Sequence, residues 1–335
     1  MIPMIDSRLA STAVLAICFA LISSCYYTQA VRGQLDVMRK REPIANVIAD
    51  ADTSTELANR LRLVEEARSF SVIELGLPDN DSYRSYADVE RDYVVWNVFA
   101  APEFSLEAKQ WCFPVAGCVS YKGYFSEQAA YREATRLEGM GFDVSMGGIA
   151  AYSTLGKFDD PILSTMMHWE DVDLVATMFH ELAHQLLYVK GDSGFNESFA
   201  TAVEEFGIER WLASRGLETE MAKYLESREL RQRLMQRMDA ARVDLAETYA
   251  AAIDSDTMRS RKSARLDRLR TEVTREFEAS GRRVPAWIGE GLNNARLASM
   301  VLYQGRLSEF RGLLAECDDD IRCFYDAAKD KLANL

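Results

Sequence analysis

The residues best suited to chemistry lie in one short segment, His180-Glu181-Leu182-Ala183-His184. Residues four apart on a helix share a face, so both imidazoles can reach a single ion. Glu181 directly follows the first histidine and can act as a general base beside that ion. This is the HExxH pattern of zinc peptidases, in which metal and glutamate together activate a water molecule. The alternative is a core helix with two hydrogen-bonded histidines and a solvated glutamate.

Length and charge restrict the function classes. The chain has 335 residues, enough for one large domain or two modest ones. Lys+Arg number 39 and Asp+Glu 52, which gives a net charge of −13. Because an acidic surface repels phosphate backbones and anionic lipid, we expect no nucleic-acid partner.

The six cysteines divide by position. Cys18 and Cys25 fall in the N-terminal segment. The other four form two pairs that are close in sequence, Cys112 with Cys118 and Cys317 with Cys323. An even remainder suits an oxidising compartment, so we predict both bridges. The second bridge requires Cys317 to lie outside a helix, because residues six apart on one helix are about 9 Å apart along its axis.

The N-terminal segment predicts a signal peptide over residues 1–24. No residue from Leu9 to Val31 is charged, and the apolar part is too short for a membrane span but suits a signal-peptide core. It ends in Leu-Ile-Ser-Ser-Cys25, which resembles a bacterial lipobox and implies that Cys25 is lipidated. The alternative is an uncleaved anchor helix. Either way, we expect a periplasm-facing membrane protein in the cell envelope of a Gram-negative bacterium.

The apolar patterns predict an α+β protein that is predominantly helical. We divide it into a signal peptide (1–24), an N-terminal helical region (25–87), a metallopeptidase core (88–216) and a C-terminal helical region (217–335). Alternation and apolar runs predict core strands at 93–99, 119–125 and 142–154. Long charged helices at 217–252 and 257–278 are interpreted as a hairpin with a solvated face.

The chain resembles a family of bacterial HExxH lipoproteins named putative aminopeptidases. The segments that carry the resemblance are 93–104, 111–125, 147–160 and 180–211, together with Asn293-Asn294-Ala295-Arg296. The resemblance implies a zincin-like core with a small mixed sheet and a zinc peptidase that faces the periplasm. In many zinc peptidases an edge strand before HExxH pairs with the substrate backbone, and residues 147–152 occupy that place in the chain.

A more distant resemblance, to the gluzincins, bears on the third zinc ligand. Aminopeptidase N-like members carry Asn-Glu-Gly-Phe-Ala on the helix after HExxH, and the matching residues here are Asn196, Glu197, Ser198, Phe199 and Ala200. Glu204 instead fits the interval of thermolysin-like enzymes. On one helix the two glutamates lie about 10.5 Å apart along its axis, so only one can bind the ion. We assign Glu197 as the ligand and Glu204 as the partner of a ligand histidine's second nitrogen. The alternatives are the reverse assignment and a Glu204 that is merely solvated.

The predicted reaction is hydrolysis of a peptide substrate with one Zn²⁺ as cofactor. Glu181 takes the proton of the attacking water and hands it to the leaving amine. Tyr152 and Tyr188 are the candidates for holding the oxyanion. The alternative for each is a packed aromatic residue without a catalytic role.

Two other functions compete with an aminopeptidase. The strand at 147–152 lacks the glutamate with which gluzincin aminopeptidases hold a free amine, which leaves open an envelope endopeptidase of the minigluzincin type. The second alternative is a lipid-anchored interaction protein whose metal site is structural or idle. The presence of Glu181 argues against it, because a structural site does not require that carboxylate.

Overall fold

A computed structural model of the chain describes residues 26–113, 117–289, 291–301 and 306–333. Cys25 and the signal peptide predicted for residues 1–24 lie outside the described residues. Across the described ranges, we find no helix that combines the length and the apolar character needed to cross a bilayer.

The described chain is predominantly helical with small sheets, as the apolar patterns predict. Its helices are α1 (26–39), α2 (Ile44–Ala49), α3 (Thr55–Ile73), α4 (Glu127–Glu138), α5 (Asp171–Leu186), α6 (Ser193–Ser214), α7 (Glu218–Ala250), α8 (Ser255–Ala279), α9 (Asn294–Val301), α10 (Leu307–Glu316) and α11 (Ile321–Ala333). Its strands are β1 (Arg41–Pro43), β2 (Ser85–Ala87), β3 (Val95–Pro102), β4 (Trp111–Phe113), β5 (Gly117–Val119), β6 (Lys122–Tyr124), β7 (Phe142–Ile149) and β8 (Ile162–Leu163).

Within the described ranges the strands form three small sheets, and one of them has the order β6-β3-β7 with antiparallel pairs. Strand β7 ends at Ile149 because Ile149 faces Val95, the first residue of β3. The prediction of a strand over 142–154 is therefore wrong at its end, because residues 150–154 form a loop. The strand expected over 119–125 is also divided, because β5 pairs with β4 whereas β6 pairs with β3.

The main hydrophobic core joins the N-terminal, HExxH and C-terminal segments. Its largest fully buried aromatic residues are Phe179 on α5, Phe195 and Phe199 on α6, Phe310 on α10 and Phe324 on α11. Phe199 stacks on Phe324 with ring centroids 5.7 Å apart and meets Phe310 at 5.9 Å. The closing helices therefore pack directly on the helix pair that carries the candidate site.

Helices α7 and α8 pack on each other around a separate, smaller core. Its fully and nearly fully buried members are Met238, Ala241, Leu245, Leu266, Leu269, Val273, Ile288, Leu292 and Leu297. Asp254 caps α8 by accepting hydrogen bonds from the backbone of Asp256 and Thr257. The predicted helical hairpin is thus present, with most of its length exposed on one side.

Both predicted cysteine pairs are confirmed as lying at disulfide distance. Cys112 and Cys118 face each other across the β4–β5 pair, with Cα atoms 3.9 Å apart. Cys317 ends α10 and Cys323 lies in α11, with Cα atoms 5.7 Å apart. Cys317 thus lies outside the helix that contains its partner, as the second bridge requires.

Candidate active site

Helix α5 presents the HExxH residues because its other face is apolar. Val175, Met178, Phe179 and Leu182 are buried in the main core, which directs His180, Glu181 and His184 to the opposite side. Asp171 and Asp173 lie in the first turn, where a negative charge complements the helix dipole. The helix ends at Leu186, since Leu187 is extended.

The turn between α5 and α6 is held by two polar side chains. Asp192 caps α6 by accepting a 2.8 Å hydrogen bond from the backbone N–H of Phe195. The Asn196 amide donates to the Val189 carbonyl at 2.8 Å and accepts from the Val189 N–H at 2.7 Å. Gly191 supplies the positive φ of +89° that the turn requires. Asn196 therefore fixes the start of α6, one residue before Glu197.

Glu197 faces both histidines across the gap between the two helices. Its Oε2 lies 3.3 Å from His180 Nε2, and its Oε1 lies 3.6 Å from His184 Nε2. The ligand atoms that the three residues can offer all lie within 4.8 Å of one another. This arrangement could hold a metal ion, and two imidazoles with one carboxylate are a ligand set used by catalytic zinc sites.

Glu204 lies on the other side of the His180 ring. Its Oε2 is 3.1 Å from His180 Nδ1, and its Oε1 is 3.8 Å from the guanidinium of Arg231 on α7. The two glutamates between which the sequence could not decide thus occupy different positions. Glu197 belongs to the cluster of three possible metal ligands, whereas Glu204 contacts the second ring nitrogen of His180. His184 Nδ1 is buried and has no hydrogen-bond partner among the described residues.

The electrostatics of the cluster favour a cation. Burial opposes charge on His180, but hydrogen bonds with Glu197 and Glu204 outweigh it and raise its pKa to about 10. Burial and the charge of His180 lower the pKa of His184 to about 4. Without metal, the carboxylates therefore hold one proton on His180, and a metal ion can take over that positive charge. The residues fit a cation site by this criterion.

Glu181 sits in an environment that disfavours its charge. Burial, and then the charges of Glu197 and Asp160, raise its pKa to about 7, although the charge of His180 acts in the opposite direction. The Tyr83 hydroxyl is buried, and its pKa is raised by burial and by the charge of Glu181. A carboxyl group with a pKa near neutrality can both accept and donate a proton at working pH.

The two tyrosines expected from sequence differ in their surroundings. The Tyr152 hydroxyl donates to the side chain of Gln34, and its ring meets Phe125 edge to face. Tyr152 follows β7 rather than lying on it. Tyr188 is 50% exposed, and its ring centroid is 6.4 Å from that of His184.

A third tyrosine, Tyr121, was missed in the sequence. Although 39% of the residue is exposed, burial of its hydroxyl, followed by the negative charges of Glu197 and Glu181, raises its pKa. Tyr121 lies between β5 and β6, where the chain passes from one sheet to another. Nothing local in the sequence signals that position, because it depends on which strands pair.

Among known proteins, the chain is similar to one family. No curated protein matches the chain, and no solved structure does either. A family model described as "Putative aminopeptidase" matches residues 25–335. That range includes both helices of the candidate site and the C-terminal helices that pack on them, and the chain therefore belongs to this aminopeptidase family.

Proposed function

We propose that the chain is a zinc-dependent peptidase, specifically an aminopeptidase, with a zincin-like core. One observation carries the proposal: the possible ligand atoms of His180, His184 and Glu197 all lie within 4.8 Å of one another. Glu181 lies on the same turn of α5 as His180. Membership of an aminopeptidase family supports peptide hydrolysis as the reaction class. His180, His184 and Glu197 are the proposed zinc ligands.

The chain's own residues provide the proton transfers. A zinc ion held by the three ligands supplies a Lewis acid and lowers the pKa of water toward ~7. Glu181 accepts the proton of the attacking water and donates it to the leaving amine, and its pKa of about 7 suits both steps. Glu204 accepts from Nδ1–H of His180, which leaves the Nε2 lone pair free for the metal.

Two hydroxyl groups are candidates for stabilising the oxyanion. Tyr188 lies beside His184, and Tyr121 lies near Glu197 and Glu181. Either phenol could donate to negative charge that develops on the scissile carbonyl. The Tyr152 hydroxyl is already bonded to Gln34, so we do not assign it this role.

The experiment that tests the function uses the soluble chain from residue 26, loaded with zinc and given a peptide library. We expect hydrolysis that a chelator abolishes. Glu181→Gln should keep zinc but lose about 10²–10⁴-fold in turnover, because an amide cannot accept the proton. Glu209→Gln, the same change on α6 at a carboxylate paired with Arg228, is the control. Activity that survives the chelator or the Glu181 change would refute the proposal.

Peptides that differ only at the amino end separate the two peptidase classes. An aminopeptidase requires a free α-amine, so N-acetylation should abolish cleavage. Equal cleavage of free and acetylated peptides would instead identify an endopeptidase.

We also propose that the protein is a lipoprotein anchored through Cys25 on the periplasmic side of a membrane. The lipobox-like sequence supports this, and two cysteine pairs at bonding distance suit an oxidising compartment. Cys25→Ala should release the protein from membranes or leave an unprocessed precursor. An unchanged mature mass and membrane partition would contradict the anchor.

A further inference from the structure

An apolar pocket of about 480 Å³ lies on one face of the β6-β3-β7 sheet. Val95 and Asn97 of β3 point into it, together with Ile149 and Gly123, the residues that pair with them. Helix α4 covers the other face, where Val98, Ala100 and Tyr124 form a small core. The aromatic residues around the pocket are Tyr26, Tyr27, Phe113, Tyr121, Phe125 and Tyr152.

Helix α1 forms one wall of the pocket and is held in place by specific contacts. Gly33 allows the helix to lie directly on a ring, because a Cβ atom there would be only 2.0 Å from Cγ of Phe125. Gln29 accepts a 3.0 Å hydrogen bond from the Phe125 N–H, and Gln34 accepts one from the Tyr152 hydroxyl. The pocket is therefore closed by a docked helix rather than by a loose terminus.

The pocket adjoins the candidate active site through two connections. The first runs along β5: a Cβ atom on Gly117 would lie 3.5 Å from Cε of Lys190, in the turn between α5 and α6, and Val119 and Tyr121, which follow on this segment, line the pocket. The second runs through the loop after β7. Ser153 of this loop lines the pocket, and Gly156, three residues later, packs against Gln185. Gln185 lies one helical turn after Glu181 on α5. A peptide bond positioned at the ligand cluster would thus place a neighbouring side chain at the pocket.

We infer that this pocket binds a large apolar or aromatic side chain of the substrate, next to the scissile bond. This inference rests on the proposed peptidase function. Pockets of about 300–1,000 Å³ with mainly apolar walls are typical ligand sites, and aromatic walls favour aromatic occupants. Among the described lining residues, Lys157 carries the one charge and there is no carboxylate. A basic side chain would therefore find no counter-charge in the pocket.

The test fills the pocket without removing a hydrogen bond. Ala30 lines the pocket on α1, so Ala30→Phe should occupy the space. Thr28→Phe adds the same ring at an exposed position of the same helix and is the matched control. For peptides that differ only in Phe or Ala beside the scissile bond, we expect the wild-type chain to prefer Phe by about 10–200-fold in kcat/KM.

Ala30→Phe should reduce this preference to about twofold or less, at unchanged zinc content, while Thr28→Phe keeps it. Equal preference in Ala30→Phe and wild type would overturn the inference. A second measurement needs no turnover: the Phe peptide should bind zinc-loaded Glu181→Gln at least about tenfold more tightly than the same chain that also carries Ala30→Phe. Equal affinities would overturn the pocket assignment even if the chain proved not to be a peptidase.

Tyr26 and Tyr27 directly follow the proposed lipidation site, so the chain's own acyl group is a competing occupant. The same peptides should therefore be compared with protein purified from membranes. A preference for Phe in both forms supports the substrate pocket. A preference in the soluble chain that the membrane-derived chain lacks would assign the pocket to the acyl group and overturn the inference.

Discussion

Two pairs of consecutive helices in this molecule, each joined by a short loop, bury different kinds of residues. In the α5–α6 pair, buried polar groups are frequent on α6, and they include Asn196, Glu204 and Glu205. In the α7–α8 pair the buried residues are mostly aliphatic, and most charged residues lie on the exposed side. The buried exception is Arg265, which donates a 2.6 Å hydrogen bond to Asp244. Buried polar groups, rather than helix length or charge, distinguish the region that can do chemistry.

The polar groups buried on α6 are stable there because each has a partner. Glu205 accepts two hydrogen bonds, 2.7 and 2.8 Å long, from Arg311 on α10, and Glu204 contacts His180 and Arg231. In the hairpin, Arg233 and Arg237 instead reach Glu276 across the solvent-facing side. The two sets should therefore respond differently to substitution, because an unpaired buried charge costs much more than a lost surface pair.

The largest difference is expected at Glu197. Glu197→Ala removes the carboxylate that faces both histidines, so the protein should lose stoichiometric zinc binding. Zinc content after dialysis against a weak chelator measures this. Glu209→Ala, on the same helix but paired with Arg228, should keep one zinc ion per chain. Retention of zinc by Glu197→Ala would show that another residue supplies the third ligand.

Leu269→Ala should affect the hairpin alone. Leu269 is fully buried in the hairpin core, and its truncation should lower the free energy of unfolding by about 2–5 kcal/mol. Val243→Ala, at a position 59% exposed on α7, should change it by less than about 0.5 kcal/mol. Denaturant titration measures both. A tenfold loss of zinc affinity in Leu269→Ala would show that the two regions are coupled.

Glu204→Ala should weaken zinc binding without abolishing it. The carboxylate holds His180 through Nδ1, and loss of such a partner typically costs about 10–100-fold in metal affinity. Competition with a chelator of known affinity measures the change. If Glu204→Ala lost the metal and Glu197→Ala kept it, the roles of the two glutamates would be reversed.

The smallest effect is expected at Glu276. Glu276→Gln breaks its pairs with Arg233 and Arg237, yet exposed pairs contribute only about 0–1 kcal/mol. The free energy of unfolding should fall by no more than that, and by less in high salt. A larger loss would mean that the hairpin depends on its charges as much as the α5–α6 pair does.

The sequence predicted the helices well because their patterns are local. The gap between the helices predicted at 217–252 and 257–278 contains the Asp254 cap, and the two predicted ranges agree with α7 and α8 within a few residues. The ends of the strands were less predictable, since β7 stops where β3 has no further residue to pair with. The boundaries drawn between domains stay predictions.

In the candidate site, too, the features that depend on local spacing were predictable from the sequence. His180 and His184 are neighbours by helical geometry alone, and the short turn held by Asn196 brings Glu197 to them. Tyr121 could not be identified, because its approach depends on β5 and β6 joining different sheets. Local spacing therefore identified the ligand cluster, whereas long-range strand pairing determined what surrounds it.

The docking of α1 on the folded protein limits the distance between the candidate active site and a membrane to which Cys25 would be anchored. The chain is helical from residue 26, the first described residue, and α1 is fixed to Phe125 and Tyr152. If Cys25 carries a lipid, no flexible tether separates the bilayer from the folded protein. At 1.5 Å per residue, Tyr26 and Gln34 lie only about 12 Å apart along the helix. Such an enzyme would work within the first layers of water at the membrane surface, on polypeptides that emerge from it or lie on it.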